Sequence, residues 1–173
     1  CAMAEAMLTG LPLVERVVTV TGEGISSPKN FKALIGTPLS FLIEKAGGFS
    51  GTPGKVIMGG PMMGPSVKSL DVPVLKGTSG ILVLTKVQAV KEPVLPCIRC
   101  GKCVEACPTR LQPLWIAAYS EKGLIDEAEE LRAMDCCECG ACTYACPPKS
   151  PLVQWTNLAK AEITSKRKAL RTS

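Results

Sequence analysis

The sequence predicts an α+β chain in two parts, a small strand-bearing unit followed by a helical domain rich in cysteine. Three observations lead there. Short β-branched runs flank a single helical pattern before residue 86, which makes a small α+β unit. From Leu111 onward the apolar spacing becomes helical. Within that second part lie two copies of one cysteine run, Cys97-x2-Cys100-x2-Cys103-x3-Cys107-Pro108 and Cys136-x2-Cys139-x2-Cys142-x3-Cys146-Pro147.

Taken in order, residues 1–11 read as the end of a helix, with Gly10 as its stop and Pro12 just beyond. Arg16-Val17-Val18-Thr19-Val20-Thr21 is rich in β-branched residues, ends at Gly22, and reads as a strand. Thr37 as N-cap and Pro38 at the first helical position fit a helix over 38–46. Leu39, Leu42, Ile43 and Ala46 share one face of it, and Gly47-Gly48 stop it. Lys55–Met58 is a short strand and Gly80–Thr85 a buried one. Residues 86–96, with Pro93 and Pro96, form the connection to the cysteine region. Leu111, Leu114, Trp115, Ala118 and Tyr119 then mark a helix that Gly123 breaks. Leu124, Ile125, Ala128 and Leu131 mark a second, through about Ala133, and Leu152, Trp155, Ala159 and Ile163 a third.

The cysteine spacing is the one bacterial ferredoxins use to hold [4Fe–4S] clusters. Three closely spaced thiolates occupy three corners of a cubane, and the Cys-Pro sulfur usually serves the other cluster in two-cluster proteins. The expected cages are therefore Cys97, Cys100, Cys103 and Cys146 for one cluster, and Cys136, Cys139, Cys142 and Cys107 for the other. A disulfide framework belongs to small secreted domains, and no signal peptide is visible. Structural zinc takes four ligands, commonly two separated C-x2-C pairs, and the chain has no histidine to share that role. A structural or sensing cluster without electron traffic is the blander iron–sulfur reading. Cys136 and Cys137 are adjacent, and Cys136 alone keeps the register of Cys97 to Cys100. Cys137 takes the place of Ile98 and is expected as a small apolar neighbour of the cluster. Cys1 belongs to no motif and is expected as a buried or incidental thiol.

Composition excludes several functions. The chain is 46% hydrophobic with 20% charged residues, enough to bury a core in one or two domains. A formal net charge of +5, scattered along the chain with few aromatics between, gives no nucleic-acid signature. Its long uncharged stretches, such as Val56–Val67, contain Gly and Pro and fall short of the roughly 20 apolar residues of a spanning helix. No histidine, nucleotide fingerprint or flavin loop is present to carry hydride chemistry, so the chain as it stands is expected to relay electrons.

The runs Cys97-Ile98-Arg99-Cys100-Gly101-Lys102-Cys103-Val104-Glu105-Ala106-Cys107-Pro108 and Cys136-Cys137-Glu138-Cys139-Gly140-Ala141-Cys142-Thr143-Tyr144-Ala145-Cys146-Pro147 resemble those in the C subunit of the Rnf (Rsx) electron-transport complex. Pro151-Leu152-Val153-Gln154 and Leu158-Ala159-Lys160-Ala161-Glu162-Ile163 resemble its segments just past the second cysteine run. Val17-Val18-Thr19-Val20-Thr21-Gly22 and Gly59-Gly60-Pro61-Met62-Met63-Gly64 resemble its soluble-ligand-binding β-grasp domain, and Gly77-Thr78-Ser79-Gly80-Ile81-Leu82 the segment just after that domain. The resemblance implies an α+β fold with a small β-grasp domain over 13–75, a strand and linker over 76–96, and an α-helical two-cluster ferredoxin domain over 97–173. It implies that residues 1–12 end a helix of an upstream domain, and that FMN and NADH belong to that domain alone. It further implies a peripheral protein on the cytoplasmic face of the cell membrane. Its partners would be the other subunits of an ion-pumping redox complex and a ferredoxin-like electron carrier. The related cobalamin reductase, a flavin and iron–sulfur enzyme of similar plan, is the alternative; no corrin-binding region is visible to favour it.

Four further features invite a role. Gly59–Gly64 is glycine-rich but lacks the strand-to-helix context of a phosphate loop, so a turn is expected, with contact to a flavin domain or ligand as the sharper reading. Met62 and Met63 are expected in the core, with a partner surface as the alternative. Lys166-Arg167-Lys168 and Arg171 are expected as a solvated helix end whose cations suit the macrodipole, against docking to anionic lipid or an acidic partner. Arg99 and Lys102 would raise the potential of the first cluster relative to the second, where Glu138 and Ala141 stand instead.

Overall fold

The structure, a computed structural model, describes residues 2–90 and 93–172, the side chains of residues 171 and 172 excepted. Cys1 and the Arg171 side chain lie outside the described residues. The chain divides into two compact units, Cys1–Lys91 and Glu92–Ser173.

In the first unit, α1 (Ala2–Thr9) buries none of its residues and ends at Gly10, whose φ of 71° closes the last turn through a bond from its N–H to the Ala6 carbonyl. Five strands come next: β1 (Glu15–Thr21), β2 (Lys29–Leu34), β3 (Pro53–Met58), β4 (Ser66–Val67) and β5 (Gly80–Thr85). They form one sheet in the order β2-β1-β5-β3-β4, with β1 and β5 parallel and every other pair antiparallel. The strand of the connecting segment thus lies at the centre of the sheet, hydrogen-bonded on both sides. Alternation sets one face inward: Val18 and Val20 on β1 and Ile81 and Val83 on β5 are fully buried. Leu39, Leu42 and Ile43 of α2 (Leu39–Lys45) join them in a single apolar cluster. Gly22 ends β1 because nothing larger fits, since a Cβ there would stand 2.1 Å from the Val83 carbonyl oxygen.

Two sequence expectations change here. Thr37 does not cap α2. Pro38 is extended at the cap position, and no side chain bonds the helix start. The free N–H groups of Leu39 and Ser40 instead donate to the carbonyls of Val72 and Leu70, at 3.0 Å each. Met62 and Met63 are not in the core. They sit 45% and 63% exposed in the β3–β4 turn, which a bond from Gly64 N–H to the Gly60 carbonyl closes.

The second unit is helical: α3 (Lys102–Glu105), α4 (Pro113–Glu121), α5 (Ile125–Glu130), a 3-10 turn (Ala133–Asp135), α6 (Ala141–Tyr144) and α7 (Leu152–Thr172). Leu111, Ile116, Ala128, Ala133, Ala159 and Ile163 form one buried cluster. Lys166 pairs with Asp126 and Arg167 with Glu129 on α5, while both cations stay more than half exposed to solvent. Lys168 also has an interaction partner. The buried residues of α4 are Pro113, Ile116, Ala117 and Ser120, not the Trp115–Tyr119 stripe its periodicity suggested. Trp115 is 42% exposed, in tilted contact with Tyr119.

Candidate iron–sulfur site

Both cysteine runs fold by the same backbone devices. Arg99, Gly101 and Arg110 have φ of 53°, 78° and 54°. Glu138, Gly140 and Lys149, each 39 positions on as Cys136 is from Cys97, have 58°, 77° and 58°. A left-handed residue costs a non-glycine side chain on the order of 1 kcal/mol. Four of the five such residues among the described ones therefore concentrate strain at the cysteine loops. The strain turns amides toward sulfur. Arg99 N–H donates to Cys97 Sγ and Glu138 N–H to Cys136 Sγ, both at 3.4 Å. Leu111 N–H donates to Cys107 Sγ at 3.3 Å. Gly101 and Gly140 then open α3 and α6, which bury Cys103 and Cys142.

These loops frame two cavities. Cys97, Cys100 and Cys103 line the first, and their fourth sulfur neighbour there is Cys146 of the other run. Cys136, Cys139 and Cys142 line the second together with Cys107. All eight cysteines singled out by spacing are brought to one cavity or the other. Cys137 lines the second cavity as Ile98 lines the first, and both are exposed. Helix α4 lies between the two, presenting Leu114 and Ala118 to the first and Pro113 and Ile116 to the second. Its apolar residues therefore run round the helix, which is why a single-stripe reading mislaid the buried face. Helix α7 does the same with Leu152 and Trp155 on one side and Val153 and Thr156 on the other.

The donor set is all thiol, four cysteines to each cavity beside Cys137, which is the ligand type of an iron–sulfur cluster. Thiolates on one zinc lie about 2.3 Å from it and so crowd together, whereas a cubane separates them by its own irons and sulfides. The thiols differ in readiness to ionise. Burial pushes Cys103 and Cys142 up. Burial also pushes Cys136 up, against the Glu138 N–H and the Lys160 cation, which favour its thiolate. For Cys107 burial is outweighed by the Thr109 hydroxyl and by the N–H groups of Leu111, Thr109 and Arg110, so its thiol lies below the usual value.

Residues 17–66 match the SLBB domain family and residues 96–150 the 4Fe-4S dicluster domain family. The chain is similar to part of the C subunit of ion-translocating oxidoreductase complexes. It is 54% identical over 166 residues to the C subunit of the Na(+)-translocating ferredoxin:NAD(+) oxidoreductase complex of Acetobacterium woodii, covering 96% of this chain and 38% of that protein. It is 46% identical over 162 residues to the C subunit of the ion-translocating oxidoreductase complex of Rhodobacter capsulatus, covering 94% of this chain and 31% of that one. It is 47% identical to the C subunit of the proton-translocating ferredoxin:NAD(+) oxidoreductase complex of Clostridium ljungdahlii, covering 93% and 35%. The chain thus spans about a third of the length of these relatives. The α+β order read from the sequence, and the resemblance to the C subunit, hold over nearly all of it.

Sequence reasoning missed Lys160. Its side chain, 20% exposed, pairs with Glu138, and its ammonium donates to the Cys136 carbonyl at 2.9 Å. The available signal was a lysine adjacent to the apolar stripe of Leu152, Thr156, Ala159 and Ile163 on α7. At the β3–β4 turn, Gly59 N–H donates to the Gly80 carbonyl, so the glycine-rich segment serves as a turn against the central strand. A shallow open depression lies beside it, lined by Thr19, Thr21 and Ser79. No helix among the described residues is long and apolar enough to cross a membrane.

Proposed function

We propose that this chain is an electron relay of the Rnf C-subunit type, with two [4Fe–4S] clusters in crossed cages. Cys97, Cys100, Cys103 and Cys146 hold the first, and Cys136, Cys139, Cys142 and Cys107 the second. The observation that carries this reading is that each cavity is lined by three cysteines of one run and the Cys-Pro cysteine of the other. When bound, the clusters supply one-electron redox steps at two adjacent sites. The chain's own part is to supply thiolates, to donate N–H groups to their sulfurs, and to exclude water with the apolar sides of α4 and α7. In the larger protein, FMN and NADH are expected in a separate domain, and the SLBB-type unit of this chain includes the central strand β5, with residues 86–96 leading on to the clusters. The partners are the other subunits of an ion-translocating complex and a ferredoxin-like carrier, at the cytoplasmic face of the membrane.

Anaerobic reconstitution tests this directly. The chain should take up about eight irons, and dithionite reduction should give the spin-coupled EPR signals of two neighbouring centres. About four irons per chain, or zinc retained in place of iron, would contradict it.

A further inference from the structure

The two cysteine repeats carry a reversed pair of charges. Their registers coincide well past the cysteines: Pro113 begins α4 and Leu152 begins α7 at the same offset that relates Cys97 to Cys136. At the strained loop position the first repeat has Arg99 and the second Glu138. At the ninth residue of the next long helix the first repeat has Glu121 and the second Lys160. Both members of the first pair line the first cavity, and both are exposed. In the second repeat the pair is closed, with Lys160 touching Glu138 and the Cys136 carbonyl together.

The two members of that closed pair are not equivalent. Lys160 is 20% exposed and Glu138 44%. A charge removed from water acts more strongly on its surroundings than one that water screens. The ammonium is also anchored to the backbone of a ligand residue, so its distance from the Cys136 sulfur is held by the fold and not by a flexible side chain. Reduction adds negative charge to a thiolate-bound cluster, and a fixed cation beside it favours the reduced state.

We propose that Lys160 is the positioning residue that sets the potential of the second cluster, holding the Cys136 loop and raising that cluster's potential. The proposal rests on the reading that Cys136 is a cluster ligand. By the same physics Arg99 and Lys102 act weakly on the first cluster, because both are exposed and water screens them.

The test is a redox titration of the whole chain with both clusters reconstituted, the clusters told apart by their hyperfine-shifted cysteine β-proton signals. Lys160→Gln keeps a donor for the Cys136 carbonyl and removes the charge. It should lower the reduced-to-oxidised ratio of the second cluster at least tenfold at a fixed potential, a shift of about 59 mV for one electron, and leave the first unmoved. The double variant Glu138→Gln, Lys160→Gln leaves the net charge unchanged. It should still lower the second cluster's ratio, by less. If Lys160→Gln loads both clusters and moves neither potential, or moves both alike, the proposal is overturned. Full recovery of the parent potential in the double variant also overturns it, because the two charges would then cancel at the cluster. A parent chain that loads only one cluster overturns the two-cluster reading itself, and the iron content separates that result from the others.

Discussion

The two cysteine sites share a spacing and a backbone, yet they sit in different surroundings. In the first, Cys97 and Cys100 are exposed, Cys146 is half-buried and Cys103 is buried. In the second, Cys142 is buried, Cys107, Cys136 and Cys139 are half-buried, and a closed ion pair covers the loop. A fifth cysteine, Cys137, stands beside that second cage. The difference separates two jobs. The repeated spacing and its left-handed turns build the cage, while the long helices beyond them decide how much water and charge reach it. Two clusters of one ligand type can thereby differ in lifetime and potential.

The largest expected difference is in survival. Under air or an iron chelator, the first cluster should decay several-fold faster than the second, because water reaches its ligands more freely; stopped-flow absorbance with EPR attribution reads this. Equal decay rates would mean that ligand exposure does not govern lifetime here. Neighbouring residues on α7 sharpen the same contrast. Leu152 lines the first cavity and Val153 the second, both buried. Leu152→Ala should destabilise the chain by about 2–5 kcal/mol in chemical denaturation and shorten the life of the first cluster in particular. Val153→Ala should cost less and act on the second. Gly101→Ala comes next. A Cβ there meets open space, so only the φ of 78° opposes it, and the cost should be about 1 kcal/mol. A loss above ~3 kcal/mol would point to a contact that the loop geometry does not contain.

The smallest effect is on pH. In the cluster-free chain, burial raises Cys103, Cys136 and Cys142 above their unfolded values. The folded state then holds protons that the unfolded state releases. This contribution to stability is complete below the unfolded thiol value of about 8.5 and is lost as pH rises through the higher folded values. Urea midpoints of the cluster-free chain should fall as pH rises above the unfolded thiol value of about 8.5, the three raised thiols outweighing the opposite contribution of Cys107. Those of the loaded chain should not, since iron occupies the sulfurs. A rising midpoint in the cluster-free chain would reverse the sign.

The parts of the molecule legible in the sequence are those that depend on local signals. The gathering of eight cysteines at two cavities was readable because it follows from spacing within a few residues. The strands β1, β3 and β5 were readable because β-branched runs need no knowledge of their neighbours. Strand β2 was not, since Lys29, Asn30 and Lys32 give it a polar edge and only Ala33 is buried. The cap of α2 was misread because its N–H groups are satisfied by Leu70 and Val72, thirty residues away in the chain. The buried side of α4 was misread because that helix faces a cavity on each flank. Lys160 was missed for the same kind of reason: its meaning lies in Cys136 and Glu138, more than twenty residues earlier, and not in its own helix.

The crossing of the cages is the central claim, and single-cysteine variants examined by Mössbauer and EPR spectroscopy test it. Cys107→Ala should damage the cluster that Cys139→Ala damages, Cys146→Ala the one that Cys100→Ala damages, and Cys137→Ala neither. If Cys107→Ala and Cys103→Ala remove the same signal, each run closes its own cluster and the crossed assignment is wrong.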